Sequence, residues 1–168
     1  MADAQNLPFA DAEFDAARIE RTLQHLADPA RAVREMVRVV RPGGRVVAFE
    51  PDWETLCAAG GGVATLRALR RHRVDVATPH GGIGRETPHL FQLAGCRDIK
   101  ADGVVLSMQA LGVADTVLGL AACLDGAIED GLVSEADARA WWDEATARNA
   151  AGSFYASLNA TIVSATVA

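Results

Sequence analysis

The sequence lacks the features that mark a disulfide scaffold, a metal centre or a membrane span. Its three cysteines, Cys57, Cys96 and Cys123, are scattered, and no Cys/His spacing suits a zinc site. The longest nearly apolar run, residues 116–124, is far shorter than the roughly 20 residues that a helix needs to cross a bilayer. Residues 1–9 lack the basic region and apolar core of a signal peptide. These absences predict a soluble cytoplasmic protein without a metal.

Aromatic residues and positive charge are also scarce. Aromatics make up 5% of the 168 residues, so the core must consist mainly of Val, Leu, Ile and Ala. A formal net charge of −6 argues against nucleic-acid binding, which needs a concentrated basic surface. The chain shows no repeat and no linker, and its length suits one compact domain. We therefore expect residues 1–168 to form a single domain.

The clearest local pattern is a helix, a glycine turn and a buried strand in succession. Asp28 suits a helix N-cap, and Pro29 suits the first helical position. An apolar stripe follows, and residues 42–44, Pro-Gly-Gly, end the helix. The apolar run at residues 46–49 is typical of a strand buried on both faces of a parallel sheet. This succession is half of a βαβ crossover, so the predicted fold class is α/β.

Other segments give weaker signals. Residues 14–20 are predicted as a strand, although Ala16, Ile19, Leu23 and Leu26 also fit one helix face. The remaining predicted elements are helices at about residues 63–76 and 86–94, a strand near 99–108, a helix with its apolar face at 117–128 that Gly131 ends, a helix capped by Ser134, and a closing strand at 154–167.

Four motifs carry a resemblance to a known family. They are Asp3-Ala4-x-x-Leu7-Pro8-Phe9, Phe14-Asp15, Leu23-x-His25-x-x-Asp28-Pro29 and Arg38-Val39-x-Arg41-Pro42-Gly43-Gly44. Their order and spacing resemble the second half of class I S-adenosylmethionine-dependent methyltransferases, in the broad small-molecule family that includes quinone-biosynthesis enzymes. The match is close to about Trp53 and looser beyond it, where Gly84-Arg85 resembles the start of a later lid helix. The resemblance implies an incomplete Rossmann-like sheet made of the family's strands 4, 5, 6 and 7 with flanking helices.

The resemblance also implies where S-adenosylmethionine would lie, since ligands of open α/β sheets bind at the carboxyl ends of the strands. It places Asp3 at the adenine amino group, with the Ala4 backbone beside the ring, and Arg21 and Gln24 near the methionine end. His25 is the candidate catalytic base, because an unperturbed imidazole titrates near physiological pH. A solvated chain end for Asp3 and a structural histidine before the Asp28 helix remain the alternatives.

Three residues at the end of the buried strand are candidates for substrate binding. Glu50 and Asp52 would orient a substrate or support the sulfonium, and Trp53 would add cation–π attraction. The alternative is a turn closed by Pro51 with an anchoring tryptophan. A basic cluster, Arg67, Arg70, Arg71 and Arg73, would either attract an anionic group or form a solvated helix face.

The family's glycine-rich cofactor motif, G-x-G-x-x-G, is absent from the sequence, as is the acidic residue that holds the ribose. Losing two ribose hydrogen bonds costs about 3–6 kcal/mol, or roughly 10² to 10⁴ in affinity. We therefore expect a truncated methyltransferase with impaired cofactor binding, and the sequence does not decide whether the chain is active on a small-molecule substrate. Its exposed strand edge predicts a homo-oligomer or a partner chain. The alternative function is a non-catalytic binding or dimerisation subunit.

Overall fold

The computed structural model describes residues 2–168, which form a four-stranded sheet with flanking helices. The strands are β1 (Phe14–Glu20), β2 (Val40–Ala58), β3 (Arg97–Met108) and β4 (Ala156–Thr166), in the sheet order β1-β2-β4-β3. The helices are α1 (Pro29–Arg38), α2 (Val63–His72), α3 (Ile83–Leu93), α4 (Leu111–Leu118), α5 (Leu120–Glu129) and α6 (Glu135–Ala150). The predicted α/β class is confirmed.

Strands β1 and β2 pair in parallel, with Ala16 opposite Arg45 and Glu20 opposite Phe49. Phe14–Glu20 is therefore a strand and not a helix, as the sequence predicted. At the start of β2, the N–H of Gly43 donates to Val167 O and the N–H of Val167 donates to Gly44 O, each over 2.9 Å. The end of the chain thus pairs with the beginning of β2, so β4 runs antiparallel to it.

Helix α1 begins as its sequence predicted. The Asp28 side chain accepts a hydrogen bond from Arg31 N over 2.8 Å, and Pro29 occupies the first helical position. Asp28 therefore satisfies one of the backbone donors that a helix start leaves unpaired. The buried side of the helix is formed by Pro29, Ala32, Val33 and Met36.

The prediction of one continuous helix across residues 117–128 was wrong. Gly119 has φ +65°, and it separates α4 from α5, which are bent by 61° at this break. Asp115 stabilises the break, since its carboxylate accepts from Ala121 N over 2.8 Å. In residues 2–168 no single helix has the length and apolarity needed to cross a membrane; the bent pair α4–α5 meets those criteria only when its two helices are added together.

Three other helix boundaries differ from the prediction. Helix α1 ends at Arg38, so the Pro-Gly-Gly of residues 42–44 lies within β2 and does not end the helix. Helix α2 ends at His72, and Arg73–Ala77 continues as one wider π-helical turn. Helix α3 begins at Ile83, three residues before the predicted start, and contains Pro88. Gly84 lies so near β2 that a Cβ there would be 2.8 Å from Glu50 O. Only glycine permits this early helical turn at that place.

The chain divides into two compact units. Unit 1 comprises the residues up to Asp52, Pro79–Val104 and Ala160–Ala168, and unit 2 comprises Trp53–Thr78 and Val105–Asn159. Each unit has its own hydrophobic core. Leu23, Val33, Val46, Phe91 and Val163 are central in unit 1, whereas Leu56, Leu69, Leu118, Trp141 and Ala156 are central in unit 2. The single-domain assignment stays a prediction.

Candidate active site

A tight turn in unit 1 follows β1 and carries three of the predicted site residues. Arg21 has φ +50°, an uncommon conformation for a residue with a side chain, and its N–H donates to Phe49 O over 2.8 Å. The chain then forms a 3₁₀ turn at Leu23–His25, in which Leu23 is fully buried. The turn therefore leaves the parallel ladder at the carboxyl end of β1.

The buried side chain of Glu50 holds this turn from within unit 1. Glu50 has no exposed surface, and its Oε1 accepts from Thr22 N and Leu23 N, each over 2.9 Å. Its Oε2 is buried and has no hydrogen-bond partner among residues 2–168. Burial raises the pKa of the Glu50 carboxyl above its usual 4.5, and the N–H groups of the turn oppose this.

Gln24 and His25 lie on opposite sides of the turn. Gln24 is buried, and its side-chain amide donates to Arg21 O over 3.2 Å. The backbone carbonyl of Gln24 accepts from His80 N over 3.1 Å. The His25 side chain is exposed, while its N–H closes the turn by donating to Thr22 O. The arrangement thus presents the guanidinium of Arg21 and the imidazole of His25 at the surface, where one can bind an anionic group and the other can accept a proton.

Asp52 is held by Arg85, a residue that sequence analysis noted only as part of the looser resemblance. In the Arg85 guanidinium, the Nε N–H donates to Asp52 Oδ2 over 2.8 Å and an Nη2 N–H donates to Asp52 Oδ1 over 2.6 Å. This two-pronged pair fixes the Asp52 carboxylate on β2 to the first turn of α3. No local pattern predicts the pair, because its members are 33 positions apart.

The predicted adenine residues belong to the segment that precedes β1. Asp3 is exposed, and its Oδ1 accepts from Gln5 N over 2.8 Å. The Gln5 side chain in turn accepts from Asp28 N over 2.8 Å, while Ala4 packs against the core of unit 1. A network of hydrogen bonds therefore connects the Asp3 turn to the start of α1.

Two residues of α1 form hydrogen bonds to residues 7–11 of the segment that precedes β1. Glu35 Oε2 accepts from Leu7 N over 2.8 Å, and Arg38 donates to Leu7 O, Phe9 O and Asp11 Oδ1. Arg38 also bonds Glu35 over 2.8–2.9 Å, and this hydrogen bond is the main reason that the pKa of Glu35 falls to about 2. Arg38 belongs to one of the sequence motifs, but no pattern in the sequence indicates a role for Arg38 or Glu35.

Trp53, the third predicted substrate residue, belongs to unit 2. It is buried, and the Arg73 guanidinium carbon lies 3.9 Å from its ring centroid. The cation–π partner of Trp53 in this structure is therefore an arginine of its own unit.

The structure thus joins some of the predicted residues and separates others. Arg21, Gln24 and Glu50 share one hydrogen-bonded cluster, with His25 on the same turn, whereas Asp3 and Asp52 take part in separate networks of unit 1. The roles of these residues toward a cofactor or substrate stay predictions.

Comparison with known proteins defines the class. Residues 1–48 match the family described as Methyltransferase domain. YcgJ of Bacillus subtilis is similar in structure, with a TM-score of 0.60 at 19% identity over 98% of this chain and 68% of that one. An S-adenosylmethionine-dependent methyltransferase of Thermotoga maritima has a TM-score of 0.53 at 16% identity, over 99% of this chain and 62% of that one. The structural likenesses show a methyltransferase fold.

Sequence relatives include a methyltransferase and a protein of a transposon. A 37.1 kDa protein of transposon TN4556 from Streptomyces fradiae is 36% identical over 163 residues, which are 97% of this chain and 46% of the relative. A demethylmenaquinone methyltransferase of Paenarthrobacter aurescens is 47% identical over 60 residues, or 32% of this chain and 24% of the relative. The chain therefore spans less than half the length of these relatives. The resemblance to class I S-adenosylmethionine-dependent methyltransferases is confirmed, and the chain is related to that class.

Proposed function

We propose that this chain is the substrate-side part of an S-adenosylmethionine-dependent methyltransferase that acts on an O, N or C atom of a small molecule. The observation that carries the proposal is the turn at the carboxyl end of the parallel β1–β2 pair. That turn lies inside the 48 residues that match the methyltransferase domain, and ligands of open α/β sheets bind at such strand ends.

The described residues fit part of the cofactor. S-adenosylmethionine, when bound, supplies an electrophilic methyl group on a sulfonium. The exposed Asp3 carboxylate suits a hydrogen bond from an adenine amino group, and the exposed Arg21 guanidinium suits the carboxylate of the methionine end. Gln24 lies beneath Arg21 and supports it through the Arg21 carbonyl. A solved relative, phosphoethanolamine N-methyltransferase 2 of Haemonchus contortus, was determined with S-adenosylmethionine; its TM-score is 0.51 at 15% identity over 98% of this chain and 35% of that one.

The substrate side of the proposal rests on exposed and fixed polar groups. His25 accepts a proton where the nucleophile must lose one, and the methyl transfer itself depends mainly on alignment. Asp52, fixed by Arg85, orients a substrate group. Glu50 acts by holding the turn, since its carboxyl is fully buried against the backbone of Thr22 and Leu23.

The remainder of the cofactor site requires backbone that the sequence does not contain. Without a glycine-rich loop, the chain alone binds the cofactor weakly. β1 is an edge strand of the sheet, and its free edge is suited to pairing with a strand of a partner chain that brings such a loop. The proposal therefore includes assembly with a partner at the β1 edge.

The test is a titration of the ¹⁵N-labelled chain with S-adenosylhomocysteine, followed by NMR. We expect amide shifts confined to residues 3–4 and 21–25, with a dissociation constant of about a millimolar, because about 3–6 kcal/mol of binding is missing. Arg21→Ala should weaken binding severalfold. Arg97→Ala, which removes an exposed arginine at the start of β3, is the matched control and should leave it unchanged.

The outcomes separate this proposal from the non-catalytic alternative. Shifts that map elsewhere, or that respond equally to the two arginine variants, would contradict the cofactor site. Complete absence of shifts at millimolar ligand would favour a subunit that retains the fold for binding or dimerisation only.

A further inference from the structure

A groove in unit 2, unrelated to the candidate active site, lies between α5 and α6. Its volume is about 680 Å³, and its floor is apolar, with Leu124, Ile128 and Trp142 among the lining residues. Ile128 and Trp142 remain partly exposed although they pack against the core of unit 2. The groove therefore leaves apolar surface in contact with solvent, which is favourable for docking.

The rim of this groove is strongly acidic. Asp125 and Glu129 project from α5, Glu135 and Asp143 project from α6, and Arg139 is the lone basic residue of the lining. None of these five side chains has a hydrogen bond or ion pair within residues 2–168, whereas Asp11, Asp15, Asp28, Glu35, Asp52, Asp75, Asp130 and Glu144 each pair with a basic side chain. The groove thus carries negative charge that the described chain does not compensate.

The same unit carries a surface of opposite charge. Val63, Arg67 and Arg71 follow one another at four-residue intervals along α2, so they share one face of that helix. All three are exposed, with Val63 at 66%, and Arg67 has no ion pair among the described residues. Arg71 makes only a solvent-exposed contact of 3.5 Å with Asp75. An apolar residue and two arginines therefore form an unpartnered basic face.

We propose that the α5–α6 groove receives the basic face of α2 from a second copy of this chain, in a two-fold symmetric dimer. The spacing agrees, because Arg67 and Arg71 are separated by four residues on a helix, as are Asp125 and Glu129. Val63 would cover apolar floor. In a two-fold arrangement each contact occurs twice, so four ion-pair contacts form from two arginines and two carboxylates per chain. This dimer is independent of methyl transfer and of the β1 edge.

The experiment is sedimentation equilibrium of the whole chain, with two charge-reversed double variants. We expect a dimer in the micromolar range that dissociates on raising the salt from about 50 to about 500 mM, since exposed charges are screened. Arg67→Glu/Arg71→Glu and Asp125→Arg/Glu129→Arg should each raise the dimer dissociation constant about tenfold or more. An equimolar mixture of the two variants should restore association, because each then complements the other.

A matched control makes the result specific. Arg97→Glu/Lys100→Glu introduces the same charge change as the α2 variant on exposed positions of β3, and it should leave association unchanged. A chain that stays monomeric at high micromolar concentration and low salt overturns the proposal, even if an unrelated basic peptide binds the groove. So does a mixture that fails to associate. Association that survives both double variants but is lost in a β1-edge variant assigns the dimer to the strand edge.

Discussion

Glu50 shows how one side chain can determine the shape of the candidate site. A fully buried carboxyl group is costly unless hydrogen bonds satisfy it, and here one oxygen accepts two backbone N–H groups while the other has no partner among residues 2–168. Protonation relieves part of that cost, which is why burial raises the pKa of the group. The turn that carries Arg21, Gln24 and His25 therefore depends on a residue that we expect to make no contact with the ligand.

Replacing Glu50 by alanine should be much more harmful than replacing it by glutamine. Glu50→Ala leaves the N–H groups of Thr22 and Leu23 buried without an acceptor, which should cost about 2–5 kcal/mol of unfolding free energy. Glu50→Gln keeps an oxygen acceptor of the same shape and should cost less than about 1 kcal/mol. Urea denaturation near neutral pH measures both; similar losses would show that the turn does not depend on these bonds.

The pH dependence of stability should carry the sign of a raised carboxyl pKa. Because the pKa of Glu50 is higher in the folded chain than its usual 4.5, its contribution is fully present below pH 4.5 and is lost as the pH rises through the folded value. The unfolding free energy of the wild type, relative to Glu50→Gln, should therefore decline as the pH rises above 4.5. A relative stability that climbs over that range would mean that the folded state favours the carboxylate.

Glu35 should show the opposite behaviour. Its pKa falls to about 2, first because of the hydrogen bond from Arg38, so its contribution is present above 4.5 and is lost as the pH falls toward 2. In an NMR titration, Arg38→Gln should return the Glu35 midpoint toward 4.5 and speed hydrogen exchange at the Leu7 amide. Arg34→Gln is the matched control, because Arg34 contacts Asp28 rather than Glu35; equal effects of the two variants would contradict the assignment.

At the residue scale, the sequence located the candidate positions but not their partners. Glu50 and Asp52 were picked out because both come directly after the recognisable apolar run at residues 46–49, and both lie within β2. The arginine that binds Asp52 is 33 positions away, and Glu50 bonds to backbone that precedes it by 27 and 28 positions. Such pairs depend on tertiary packing, which local periodicity does not encode.

At the element scale, the strongest predictions were those with a local physical cause. The Asp28 cap and the proline after it each constrain the backbone by themselves, and α1 follows them. The Pro-Gly-Gly stop was wrong, because α1 already ends at Arg38 and residues 42–44 lie within β2. The break at Gly119 within the predicted 117–128 helix was missed, because a single glycine is compatible with a helix interior and only its positive φ shows a break. Gly84 was likewise uninformative until its neighbour, the backbone of Glu50 and Pro51, was known.

Two glycine substitutions should therefore have effects of opposite sign. Gly84→Ala places a Cβ within 2.8–2.9 Å of the carbonyl oxygens of Glu50 and Pro51 and should cost about 1–3 kcal/mol of unfolding free energy. Gly112→Ala, in α4, meets nothing within 4 Å and should stabilise by about 0.4–1 kcal/mol through the unfolded chain. Thermal and urea denaturation of the two variants compares them directly, and a tolerated Gly84→Ala would mean that α3 can move away from β2.

At the scale of the whole molecule, the sheet has a free edge at β1. Glu20 is paired with Phe49, and the N–H of Arg21 donates to Phe49 O, so Arg21, Ile19 and Ala17 direct their N–H groups toward β2. By the same alternation the N–H groups of Ala16 and Arg18 point away from it. An incoming strand would use these outward groups, and its pairing would extend the sheet without disturbing β2.

Hydrogen exchange along β1 should report whether that edge is used. In the dilute chain we expect slow exchange at Ala17 and Ile19 and fast exchange at Ala16 and Arg18, and partner binding should slow the second pair alone. Arg18→Pro removes an outward donor, which an edge strand tolerates, and it should abolish strand addition while leaving the β1–β2 amides protected. Arg18→Ala removes the same charge but keeps the donor, so it should behave like the wild type. If Arg18 exchanges slowly in the dilute monomer, the edge is already covered and the partner proposed for the cofactor site has no strand to pair with.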